Sequence, residues 1–177
     1  MRNGQSDPQQ SDPQSDLQSD PQSDLQRSAD AVESTLTASR ALLGVVARSI
    51  SGALSTVTLP QFRVLVLLTR DGPLRTGDLA RRMGTVPSTF TRAVDRMVAT
   101  DLIERMASPD SRREVLVRVT PHGRAIVDEV TERRRAELTS ILVKLTPAEQ
   151  AAVQHGLSDF SSAADEASAE DLMILGL

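Results

Sequence analysis

Between Thr76 and Thr100 the chain reads "TGDLARRMGTVPSTFTRAVDRMVAT", two short amphipathic segments on either side of Gly84. Little but a pair of helices joined by a tight turn accommodates this stretch. Leu79, Ala80 and Met83 share one face of the first segment, and Thr76 can cap it. Pro87 stands where the second helix should open, its fixed φ suited to a first turn, and that helix runs to about Thr100. "LIERM" and "EVLVRV" follow as two strands joined by the polar stretch "ASPDSRR". Val115, Val117 and Val119 fall on one face of the second strand. A helix-turn-helix followed at once by a β-hairpin is a winged arrangement.

Helices flank this unit on both sides. From Ala29 to about Leu54, Val32, Leu36, Leu43, Val46, Ala47, Ile50 and Leu54 form a one-sided stripe. Pro60 then opens "QFRVLVLLTR", apolar nearly all round and so expected to be buried, and "DGP" stops it. Thr120-Pro121 caps a long helix to about Leu145. Thr146-Pro147-Ala148-Glu149 is a capping box that starts another helix, carrying Val153, Leu157 and Phe160. The expected class is mainly α with a small β-hairpin wing, a winged helix-turn-helix inserted between N- and C-terminal helices. Its domain covers residues 28–165, with a lobe of about 58–120. Residues 1–27 repeat Gln-Ser-Asp five times and offer little to bury, so they are expected to be a disordered tail. Residues 166–177, ending "DLMILGL", form a second tail.

The net charge of −4 hides a strong partition. Residues 1–28 carry five Asp and two Arg, residues 29–145 carry 13 acids and 18 bases, and residues 146–177 carry six acids and no base. The three parts are −3, +5 and −6, so an electropositive middle lies between acidic ends and suits a polyanionic partner. Nineteen of the 20 basic residues are Arg, whose fork matches phosphate geometry. The chain has no cysteine, which excludes disulfides, thiolate nucleophiles and cysteine metal sites. No signal peptide and no apolar run long enough for a membrane span is visible, so a cytoplasmic location is expected.

On a helical wheel, Phe90, Val94, Met97 and Val98 gather on one side of the second helix. Ser88, Thr91, Arg92, Asp95 and Ala99 gather on the other, with Thr89 and Arg96 on the flank. Hydroxyls and guanidinium groups are what bond phosphate oxygens and base edges. Asp95 runs against that reading and is expected to pair with Arg92 or Arg96. At the hairpin tip, Arg112 or Arg113 can enter a narrow minor groove, and Asp110 is placed to bond Arg112 or the turn backbone.

These stretches resemble the MarR family of bacterial transcription regulators. "TGDLARRMGTVPSTFTRAVDRMVATDLIER" is similar to its helix-turn-helix, and "SPDSRREVLVRVTPHGRAI" to its wing and following helix. The resemblance extends over about Ala29 to Asp165 in order of elements and is sharpest over residues 74–126. It implies a DNA-binding set of Thr76, Pro87, Ser88, Thr89, Thr91, Arg92, Arg96, Asp110, Arg112 and Arg113. Asp110 supports the loop, Arg112 reaches the minor groove, and Arg113 is a second candidate for that role. Two positions depart from the pattern: Val86 replaces a small polar cap, and Phe90 fills a place usually held by a smaller side chain.

The resemblance further implies a homodimer built from helices at about 29–54 and 121–165, a pseudo-palindromic double-stranded operator, and repression released by a small-molecule effector. Neither the effector nor the residues that bind it can be read from the sequence. Cysteine-based oxidant sensing is excluded. Only His122 and His155 are present, 33 residues apart, so no metal site and no cofactor is expected. No phosphate loop, metal-ligand spacing or nucleophile elbow points to an enzyme. The alternative is an effector-blind winged-helix protein that is architectural or controlled by a protein partner.

Overall fold

A computed structural model describes residues 21–109 and 115–164. Along the chain run α1 (Pro21–Ser51), a 3-10 turn (Ala53–Ser55), α2 (Leu59–Asp71), β1 (Leu74–Arg75), α3 (Thr76–Arg82) and α4 (Pro87–Ala99). They are followed by β2 (Ile103–Ala107), β3 (Val115–Val119), α5 (Pro121–Leu142) and α6 (Pro147–Ala163). The expected winged helix-turn-helix with flanking helices is the fold. It divides within α1 into two units, one ending at Leu42 and the other starting at Leu43.

The first unit, as described, is helix alone. Helix α1 begins at Pro21, within the segment 1–27 expected to be a tail, of which residues 1–20 lie outside the described residues. The reason is local: a proline opens the helix, Asp24 lies in its first turn, and Asp24–Arg27 and Gln26–Asp30 (3.0 Å) bond along one side. Its apolar side chains Leu25, Val32 and Leu36 are all exposed.

The second unit holds the core. Helix α2 supplies Phe62, Val64, Leu65, Leu67 and Leu68, each at most 2% exposed, as its nearly all-round apolar sequence requires. Leu79 of α3, Val94 and Met97 of α4, Ile103 of β2 and Val117 of β3 close over it. Helix α2 starts one residue before Pro60, and Thr58 and Gln61 cap it reciprocally, as Thr146 and Glu149 do for α6. Near the end of α2, Asp71 bonds Arg70 (2.7 Å) and Arg82 of α3. The Arg70 hydrogen bond, joined by Arg82, holds the Asp71 carboxyl below its ordinary value against a weaker opposing effect of burial.

The wing is three-stranded, in the order β1-β3-β2, and all pairs are antiparallel. Leu74 opposes Val117 and Arg75 opposes Leu116. Two residues are too few to show the alternation that marks a strand, so sequence reading finds only the hairpin. Val117 is fully buried and Val119 partly so, but Val115 is 52% exposed because the strand has left the core by that point.

Candidate nucleic-acid interface

Helix α4 is set against the core by Phe90, Val94 and Met97, which are buried, and by the half-buried Val98. That fixes the opposite face outward: Ser88, Thr89, Thr91, Arg92, Asp95, Arg96 and Ala99 are all exposed. The helical wheel is therefore realised position by position. Val86 stands at the N-cap and makes no side-chain cap bond, so no side chain covers the first turn of α4. The Thr91 hydroxyl donates to the Pro87 carbonyl at 2.9 Å, and its oxygen can still accept a hydrogen bond.

The arginines of α3, α4, β2 and β3 separate into two groups. Arg81 pairs with Asp78, Arg82 with Asp71, Arg118 with Glu104 (2.8 Å) and Arg105 with Asp95 (2.5 Å). Arg92 and Arg96 pair with no carboxylate among the described residues. Two uncompensated cations thus share one helix with three exposed hydroxyl side chains. Asp95 was expected to take Arg92 or Arg96. It takes Arg105 instead, because β2 carries that guanidinium to the same surface. Sequence reading passed over Arg105. The available signal was strand alternation, which puts residue 105 on the same side as the buried Ile103.

The other expected residues lie as follows. Thr76 is the first residue of α3 and not its cap; Arg75 holds the cap position, because the chain leaves β1 directly into the helix. Pro87 opens α4 as expected. Asp110, Arg112 and Arg113 lie outside the described residues. Thr89 and Arg96, both exposed, are among the residues lining a cleft of about 330 Å³ between the start of α2 and α4, together with Pro60, Met83, Phe90 and Met97. Among the described residues no three His, Asp or Glu side chains cluster as a metal site would require, and no helix is long and apolar enough to cross a membrane.

The sequence model of the MarR family matches residues 57–115, which take in α2 to the start of β3. The HTH-type transcriptional regulator YfiV of Bacillus subtilis is 34% identical over 114 residues, 64% of this chain and 71% of that protein. The multiple antibiotic resistance protein MarR of Salmonella typhimurium is 31% identical over 96 residues, 54% of this chain and 67% of that protein. Among solved structures, RV1404 from Mycobacterium tuberculosis superposes with a TM-score of 0.67 at 41% identity, covering 76% of this chain and 92% of that one.

Proposed function

The chain belongs to the MarR family of DNA-binding transcription regulators, and from that premise we propose that it acts as a homodimeric repressor released from its operator by a small molecule. The observation that carries the reading is the outer face of α4, where Arg92 and Arg96, with no carboxylate partner among the described residues, lie beside Ser88, Thr89 and Thr91. In a helix-turn-helix the second helix enters the major groove, where Arg bonds guanine O6 and N7 and hydroxyls bond phosphates or base edges. The resemblance gives Arg112, or Arg113 in its place, the adjacent minor-groove contact, with Asp110 as its support.

The homodimer is supported by apolar surface without a cover. Helix α6 buries no residue, although Val153, Leu157 and Phe160 run along it, and Val143 at the end of α5 is 68% exposed. A monomer rarely leaves so continuous an apolar face to water. Two-fold symmetry then gives a pseudo-palindromic operator. Release is supported by the cleft against α4, whose lining includes Arg96 and Thr89. A ligand there acts only through different affinities for the DNA-competent and DNA-incompetent forms.

The experiment is a mobility-shift titration with a DNA fragment from the gene's own promoter region at several salt concentrations. Binding is expected, with affinity falling steeply as salt rises. Arg92→Ala, Arg96→Ala and Arg112→Ala are each expected to cost roughly 1–3 kcal/mol of binding while leaving the oligomeric state unchanged. Indifference to the fragment at low salt would sink the reading.

A further inference from the structure

Asp95 is the only carboxylate on α4, and it lies on the exposed face with Thr91 and Arg92. Left alone, it would stand among the groups proposed to meet phosphates. Arg105 prevents that. In the wing register Arg105 opposes Val117, so the two share the core-side face of the sheet, and Ile103 lies two residues earlier on the same side. Val117 and Ile103 are buried, whereas Arg105 lies where that face emerges from the core. Its Nη2 donates to Asp95 Oδ1 at 2.5 Å. Their side chains remain 40% and 57% exposed, so the pair contributes little to stability. Its consequence is for charge on the reading face.

We infer that Arg105 is a positioning residue for nucleic-acid recognition, which holds Asp95 and thereby keeps Arg92 and Arg96 free. The inference rests on the reading of α4 given above. Without Arg105 the carboxylate has two courses. It faces the phosphates as a like charge, or it draws in Arg92 three residues back along the helix. Either one removes favourable charge from the surface, and both disappear when Asp95 is made neutral. Arg105 acts through Asp95 and need not touch the DNA.

The test is a double-mutant cycle in the full-length protein: Arg105→Gln, Asp95→Asn and the two together, titrated against the same promoter fragment. Arg105→Gln is expected to weaken binding roughly tenfold at moderate salt. Adding Asp95→Asn is expected to recover affinity to within about threefold of the wild type. Asp95→Asn alone is expected to bind at least as tightly as the wild type. Melting temperatures of all four proteins should stay close together, since a half-exposed pair carries little stability. Failure of Asp95→Asn to rescue means that Arg105 contacts DNA itself, and the inference falls. So it does if Asp95→Asn alone weakens binding as much as Arg105→Gln. A wild-type protein that ignores the fragment overturns the proposed function and this inference together, whereas binding without rescue overturns this inference alone.

Discussion

Helices α3 and α4 end with the same pair of backbone bonds on different residues. After α3, Gly84 N–H donates to the Arg81 carbonyl (3.1 Å) and Thr85 N–H to the Ala80 carbonyl (2.9 Å). After α4, Asp101 N–H donates to Val98 (3.1 Å) and Leu102 N–H to Met97 (2.9 Å). Both are Schellman endings, which require a left-handed residue, and φ is 62° at Gly84 and 56° at Asp101. Glycine adopts that conformation freely, whereas an L side chain is strained there by roughly 1–2 kcal/mol, less for Asp than for most. Asp101→Gly is therefore expected to stabilise the protein by up to about 1 kcal/mol after the entropy of the freer unfolded chain is subtracted. Urea denaturation measures it; a lower midpoint would mean that the Asp101 side chain contributes more than its backbone strain costs.

The elements also meet closely where α5 leaves the wing. The buried Thr120 hydroxyl donates to the Asp101 carbonyl at 2.6 Å and accepts from Gly123 N–H at 3.0 Å. A Cβ on Gly123 would lie 2.1 Å from the Leu102 carbonyl oxygen and 2.9 Å from Leu65 Cδ2. Backbone cannot yield there, so Gly123→Ala is expected to destabilise by about 2–3 kcal/mol or more, read from the urea midpoint. Gly52→Ala makes an instructive contrast: it collides only with the Arg133 guanidinium, which can swing away, and is expected to be mild. The sequence did not single out Gly123, because contact between a helix start and a distant strand carbonyl leaves no local pattern. The outward face of α4 was legible for the opposite reason: its 3.6-residue period records which side is buried. Asp95 and Arg105, ten residues apart on a helix and a strand, share no period, and Asp95 was accordingly assigned a neighbour on its own helix.

For the whole molecule the feature with the widest reach is α6, which buries none of its residues. Leu157→Asp combined with Phe160→Asp is expected to leave the second unit folded but shift the protein to monomer in sedimentation. Operator affinity should fall with it, since one lobe alone binds a half-site. A double variant that sediments as wild type would place the subunit contact elsewhere. The cleft beside α4 has a consequence of another kind. Arg96 belongs both to its lining and to the outward helix face. On the proposed reading, one side chain answers to two occupants, and thermodynamics makes their quarrel symmetrical. Whatever factor a cleft ligand subtracts from the affinity for an operator, the operator subtracts from the affinity for the ligand. Regulator bound at its promoter is then the population least responsive to the signal, and regulator free of DNA is the population that senses it first.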